Sequence, residues 1–259
     1  MDNTVYIGLS KQMALRRRMD VLAHNVANMN TTAFKKEQVS FQEYLMPSDG
    51  TNATAGGGIS QVLDVGIIRD LSQGKTLPTG NDLDIAITGN AYIAVDRNPN
   101  QPGAQLGYTR YGSFKIDADG ELALQTGEKV LNSANQVISI EEDEVNISVS
   151  KDGTLSSSLG ERDKIGIYAF ENQQAMKRVG NLIYQTDEIP QDPFDDGYIE
   201  ETGNKVVVLH QHLEGSNVNG LTAMTEMAQI VRSYGSITRQ LDKYQKMRTE
   251  SLDRLARVQ

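Results

Sequence analysis

Cysteine is absent from all 259 residues. The chain therefore has no disulfide framework, no thiolate metal site and no cysteine nucleophile. Histidine is scarce: His24, His210 and His212 are the only three. His210 and His212, two apart in an expected strand, fall on one side of it, but two ligands do not make a metal centre and His24 belongs to a separate helical segment. All three read as surface or packing residues. Long apolar runs are missing too. Aliphatic stretches reach only a few residues, as at Val206–Leu209, against the roughly 20 that a membrane helix needs. The opening residues meet Gly8, Ser10 and Lys11 before an apolar core of about 7 to 15 residues can form, so no cleavable secretory signal is expected. Positive charge is outweighed, 25 basic against 34 acidic residues for a net charge of −9, which excludes a chain-wide electrostatic grip on nucleic acid. Gly-x-Ser-x-Gly elbows, His-Glu-x-x-His helices and P-loops are likewise absent, and with them the commonest hydrolase, metalloprotease and nucleotide sites.

What is present is unevenly distributed. Residues 1–36 carry six basic and two acidic side chains, residues 213–259 carry seven and five, and the stretch between them is left with a net charge of −15. Such asymmetry points to two physical parts, the two ends together and an acidic body between. Both ends have helical periodicity. Leu15, Met19, Leu22, Val26 and Met29 form one stripe, with spacings of about three and four residues. Near the C-terminus, Met224, Met227, Val231, Tyr234 and Leu241 overlap a second register of Met227, Ile230, Tyr234, Ile237, Leu241 and Tyr244. The combined face is wider than a two-stranded seam, so it suits either a helical hairpin within the chain or neighbours from other chains. Arg16-Arg17-Arg18 fan around a helix and form no flat basic face, which favours solvation or pairing with acidic neighbours.

From 37 to 80 the composition shifts to a linker or extended loop, with a glycine-rich stretch at 48–58 and an extended segment at Ile59–Ile68. From 81 to 212 the pattern is β. Leu83-Ile85-Ile87, Tyr92–Val95, Phe114-Ile116, Leu122-Leu124, Val145-Ile147-Val149, Ile165-Ile167-Tyr168 and Val206–Val208 alternate or run as short strands. Asp119-Gly120 and Asp152-Gly153 supply the positive φ of tight turns. With no helical segment among them the body is antiparallel. The expected class is α+β, with paired long terminal helices and a central antiparallel β domain.

Candidate chemistry is confined to carboxylates. Asp117, Asp119, Glu121 and Glu128 loosely match a calcium loop, but Leu122 stands where the loop needs glycine and strands flank it. Glu141-Glu142-Asp143-Glu144 reads as a solvated loop. A wall-remodelling enzyme using Asp117 and Asp119 is the competing reading; it requires two acids about 5 to 10 Å apart in a cleft.

Longer motifs carry more. Ala23-His24-Asn25-Val26-Ala27-Asn28-Met29-Asn30-Thr31-Thr32-Ala33-Phe34-Lys35 resembles the N-terminal signature of the bacterial flagellar rod and hook family, departing from it at His24 and at Ala33, where glycine is usual. Leu213-Glu214-Gly215-Ser216-Asn217-Val218-Asn219, followed by Glu226-Met227 and Arg232-Ser233-Tyr234, is similar to that family's C-terminal signature. Asn81-Asp82-Leu83-Asp84-Ile85-Ala86-Ile87, Tyr108-Thr109-Arg110-Tyr111-Gly112-Ser113-Phe114 and Asp119-Gly120 resemble the opening of its β domain, with Ala91-Tyr92-Ile93 where Gly-Phe-Phe is usual. The resemblance implies a structural subunit of the basal-body rod, of the proximal type by its opening residues and length, with the distal type as competitor. It implies export through the flagellar type III apparatus, periplasmic assembly with itself and other rod proteins, no cofactor, no metal, no membrane insertion and no enzymatic activity. It also implies that the terminal helices pair in a coiled-coil-like tube domain. The assembly interface is then expected at Leu15, Met19, Leu22, Val26, Met29, Met227, Ile230, Val231, Tyr234, Ile237, Leu241 and Tyr244. The signature positions are Ala23, Asn25, Ala27, Asn28, Asn30, Thr31, Phe34, Leu213, Glu214, Ser216, Asn217 and Val218.

Overall fold

A computed structural model describes residues 2–46, 59–98, 105–141, 147–180, 182–195, 198–199 and 205–256. The glycine-rich stretch at 48–58 and the acidic residues 142–144 lie outside the described residues. Two compact units divide the chain: residues 1–29, 36–70 and 218–259 form one, and 30–35 with 71–217 the other.

The first unit holds both long helices, α1 (Asp2–Ala27) and α2 (Gly220–Ala256), and an antiparallel ribbon of β1 (Glu37–Met46) with β2 (Ile59–Arg69). Leu22, Ala223 and Ile230 are buried together, with Leu15, Met19, Val26, Val218 and Met227 packed around them. That cluster is local. The expected coiled-coil-like tube domain of paired long helices is therefore corrected: α1 and α2 are unequal, 26 and 37 residues, and share their unit with a β ribbon. Tyr6, Leu9, Met13, Leu221, Met224, Val231 and Met247 remain exposed. The physical reason lies in the overlapping apolar registers of α2, which spread its apolar residues too widely for one continuous knobs-into-holes seam. The α+β class holds, and a large multi-strand antiparallel β body dominates it.

That body is the second unit. Its main sheet runs β14 (Lys177–Arg178), β15 (Ile183–Gln185), β6 (Leu106–Thr109), β5 (Tyr92–Asp96), β9 (Lys129–Val130), β8 (Leu122–Leu124) and β7 (Phe114–Ile116), with β13 (Ile167–Tyr168) also pairing β5. Successive residues of β5 alternate between faces: Ile93 and Val95 enter an aliphatic core with Leu122, Leu124 and Ile165, while Tyr92 and Ala94 enter an aromatic one. In the latter, Tyr108 and Phe170 meet edge-on at 4.7 Å between ring centres, a favoured aromatic geometry. The Tyr92 hydroxyl, which phenylalanine would lack, donates to Gln173 Oε1 at 3.2 Å. A smaller sheet joins β10 (Ser148–Val149), β11 (Thr154–Ser157) and β12 (Gly160–Lys164). The last strands return to the first: β16 (Val207–His210) pairs β4 (Ile85–Thr88), and β17 (His212–Glu214) pairs β3 (Thr76–Pro78). Gln211 separates β16 from β17 at φ 59°. The bend breaks the two-residue period, so His210 and His212 do not share one strand face. Instead His210 Nε2 lies 3.0 Å from the Asp82 carbonyl.

Candidate functional site

The terminal signatures do structural work within each unit. In the first, Asn25 is fully buried. Its Nδ2 donates to the Glu37 carbonyl at 2.7 Å, and its Oδ1 accepts from the Glu37 amide at 2.9 Å. One side chain thus satisfies both backbone groups of the residue that starts β1, which a buried chain otherwise leaves as a cost. Asn28 Nδ2 donates to the His24 carbonyl at 2.9 Å, which also accepts from the Asn28 amide at 3.2 Å, so one residue closes the last turn of α1 twice. His24 sits 3.1 Å from Glu37 Oε2. Ala23 and Ala27 are exposed.

In the second unit the signatures meet around a buried ion cluster. Glu214, on β17, is 2% exposed. Its Oε1 accepts from Lys35 Nζ at 2.7 Å and from the Gly74 amide at 3.0 Å, and its Oε2 accepts from Arg110 Nε at 2.8 Å. Arg110 also donates to the carbonyls of Gly89, Ala91 and Ile87 at 2.8 to 2.9 Å. Lys35 Nζ reaches the Ser72 carbonyl at 2.9 Å. Burial pushes the Glu214 carboxyl up, but Arg110, then Lys35 and the Gly74 amide, outweigh it and hold the group below its ordinary value. Gly74 is obligatory here: a Cβ would stand 1.8 Å from the Gly215 carbonyl oxygen. Around the cluster, the Ala33 amide donates to the Glu214 carbonyl at 2.7 Å, the Asn217 amide to the Phe34 carbonyl at 3.3 Å, and Asn217 Nδ2 to the Ser72 carbonyl at 3.0 Å. Phe34 is 1% exposed, with the Arg178 guanidinium 5.9 Å from its ring centre. Segments 30–35, 71–74 and 214–217, where the chain leaves this unit, are thereby tied to one another. Leu213 pairs with Leu77, Thr31 and Ser216 are half-buried, and Asn30 is exposed.

Ala33 adopts φ 60°, the left-handed conformation for which glycine is suited. The backbone keeps the glycine geometry although the residue has changed.

The interface residues expected from periodicity separate into two groups. Leu15, Met19, Leu22, Val26, Met227 and Ile230 face the chain's own helical cluster, and Ile237 is also buried. Met29 lies against Gly220, where a Cβ would come within 2.7 Å of its Sδ. Tyr234, Leu241 and Tyr244 are half-buried, Leu241 and Tyr244 lining a notch with Gly8, Ile237 and Met247, and Val231 is exposed.

The carboxylate candidates form a different site from either expected chemistry. Asp117, Asp119 and Glu121 do converge. However, the Lys129 ammonium contacts Asp117 and lies 3.0 Å from Glu121 Oε2, so a cation from the chain itself sits among them. Asp117 Oδ1 accepts from the amides of Asp119 and Glu121, both at 3.0 Å, which shapes the turn with Gly120 at φ 76°. That is turn construction. Glu141 pairs with Arg162 at 2.9 Å. No helix among the described residues is long and apolar enough to cross a membrane.

Sequence reasoning singled out Glu214 but missed Lys35, Arg110 and Lys129 as its structural equals. The available signal was a charged residue embedded in each motif beside residues that pack: Lys35 after Phe34, and Arg110 between Tyr108 and Tyr111.

Comparison with known proteins agrees with this arrangement. Residues 6–35 match the family model described as flagella basal body rod protein, and residues 86–157 match that of the flagellar hook protein FlgE/F/G D1 domain. The chain is 32% identical over its full length to the whole of the flagellar basal-body rod protein FlgF of Caulobacter vibrioides. It is 30% identical to the rod protein FlgG of Bacillus subtilis, over 90% of this chain and 91% of that one. With FlgF of Rhizobium meliloti the identity is 29% over 92% and 91% of the two chains. The chain belongs to the family of flagellar basal-body rod proteins.

Proposed function

We propose that this chain is a proximal, FlgF-type rod subunit that carries torque across the periplasm by packing against other rod proteins. The observation that carries the reading is end-to-end correspondence with a FlgF at 32% identity, both terminal segments included. A structural role in the flagellar basal body follows from the family; the finer points are that the subunit is of the proximal type, and that it reaches its place through the flagellar type III apparatus.

The assembly interface is proposed at the expected helical residues that one copy does not bury in its own cluster, Val231, Tyr234, Leu241 and Tyr244, joined by Tyr6, Met13, Leu221, Met224 and Met247. The exposed members, among them Met13 at 66%, Leu221 at 79% and Val231 at 53%, are an apolar surface that one copy leaves facing water. Large apolar side chains left exposed on both helices supply the material of an association face. Torque then passes between subunits through helices whose own cores are already closed inside each copy. The buried ion cluster supports the same reading, because it ties together the segments by which the β body is attached to the rest of the chain.

Basal bodies extracted with detergent and washed in salt test the proposal by peptide mass spectrometry. Enrichment of this chain beside proximal rod proteins is the expected result. Recovery only in the soluble fraction would overturn it. Crosslinks found solely to the hook-proximal part of the rod would move the assignment to the distal type.

A further inference from the structure

We infer that Glu214 is the closing residue of the β unit, so that a chain emerging N-terminus first cannot complete this unit until its C-terminal signature has appeared. The inference concerns folding and stands apart from the rod assignment.

Arg110 is 5% exposed, and three of its hydrogen bonds go to carbonyls of the segment 87–91. Carbonyl dipoles orient a guanidinium but carry no net charge. The carboxylate it contacts belongs to Glu214, 104 positions later, and the same carboxylate also holds Lys35, 179 positions earlier than itself. Glu214 thus lies between two buried cations. Take it away and a guanidinium and an ammonium confront one another where water is excluded. Deleting one member of a buried ionic group costs far more than replacing the whole group by apolar side chains, because the remaining charges are left desolvated and uncompensated. The backbone repeats the dependence: β16 and β17, which bring Glu214 into place, are the partners of β4 and β3. Without residues 207–214 the unit lacks both its neutralising charge and the strands that cover its first two. Synthesis presents Arg110 104 positions before Glu214, so the buried guanidinium waits for the carboxylate it contacts. The device keeps a β body built mostly from residues 85–185 from settling while the end of the chain is still missing.

Three full-length proteins test this at neutral pH: the natural chain, Glu214→Gln, and a charge-free triple variant Lys35→Gln, Arg110→Gln, Glu214→Gln, whose amides still offer donors to the surrounding carbonyls and an acceptor to the Gly74 amide. Limited proteolysis with peptide mapping reads protection of residues 71–217, and near-ultraviolet circular dichroism reads the packed tyrosines. Glu214→Gln keeps the shape and removes the charge. It should raise cleavage within the unit by about 100-fold or more, and the triple variant should restore protection. Protection of Glu214→Gln within about threefold of the natural chain would overturn the inference. So would a triple variant as open as Glu214→Gln, because shape rather than charge would then close the unit. Ribosome-arrested chains of the natural sequence add the timing. Protection should appear only once residue 217 has left the tunnel; protection with residue 206 as the last one exposed would overturn it.

Discussion

Asn25 pairs with Glu37 as one strand pairs with another. The buried amide gives a hydrogen to the Glu37 carbonyl at 2.7 Å and takes one from its amide at 2.9 Å. A helix thereby fixes where the ribbon begins. Asn25→Asp preserves the size but replaces the donor with an oxygen facing a carbonyl, leaving that carbonyl unsatisfied. The first unit should lose about 2 to 3 kcal/mol, read as a lower urea midpoint and as faster hydrogen exchange at the Glu37 amide. An unchanged midpoint would show that water replaces the donor.

Ala33 tests the cost of a left-handed residue. Its φ of 60° strains an alanine by about 1 to 2 kcal/mol. Ala33→Gly relieves that strain but gives up a buried methyl worth about 0.8 kcal/mol, so a gain of about 0.5 kcal/mol is expected. Ala33→Val, whose branched side chain is poorly compatible with positive φ, should lose about 2 kcal/mol or more. Thermal melts should rank the variants Gly, Ala, Val from most to least stable.

The Glu214 carboxyl gives the second unit an acid sensitivity of known sign. Its folded pKa lies below the ordinary 4.5. The stabilisation is therefore complete above that ordinary value and is lost as pH falls below it toward the folded one. Arg110→Gln removes the strongest of the cations holding the group down, so burial should raise its pKa and move the acid-unfolding midpoint of the second unit to higher pH. Tyrosine fluorescence against pH measures both midpoints.

Lys129 occupies the centre of the acidic turn. Lys129→Met should leave Asp117 and Glu121 repelling one another, with a loss of about 1 to 3 kcal/mol. Millimolar calcium should then raise the variant's melting temperature while leaving that of the natural chain unchanged. Equal calcium responses in the two proteins would remove Lys129 from its assigned place.

The two groups of helical residues should behave differently. Val231→Asp, at an exposed position, should change the stability of the isolated chain by no more than about 0.5 kcal/mol yet abolish incorporation into basal bodies and swimming. Ile230→Asp, one position along but buried, should unfold the helical cluster at a cost of about 4 kcal/mol or more. Normal swimming with Val231→Asp would exclude that face from assembly.

Much of the fold can be read in order along the chain. Helical stripes at 15–29 and 224–244, alternation through 83–124 and the Asp-Gly turns are patterns of a few residues, and local backbone geometry turns them into elements directly. The signatures likewise declare the family in consecutive residues. Apolar periodicity did not declare its partner. The stripe of Leu15, Met19 and Leu22 closes on the chain's own α2, whereas Val231 and Met13 stay exposed, and the same spacing would serve either outcome.

Tertiary structure alone decided which charges are buried and with whom. Lys35, Arg110 and Glu214 lie in three separate motifs, and the packing residues beside Lys35 and Arg110 mark a charge set among buried neighbours without saying which charges meet. Their identity as one cluster depends on the pairing of β17 with β3 and of β16 with β4, contacts that span more than a hundred residues. The Asp117 turn teaches the same lesson from the opposite side: its acids look like a cation site in sequence, and the fold places Lys129 among them. Periodicity is a property of neighbours along the chain, and so the sequence by itself determined the terminal helices, much of the strand pattern and the family, while β1 formed where the composition read as a linker or extended loop. Charge compensation is a property of neighbours in space, and it was settled only when the strands paired.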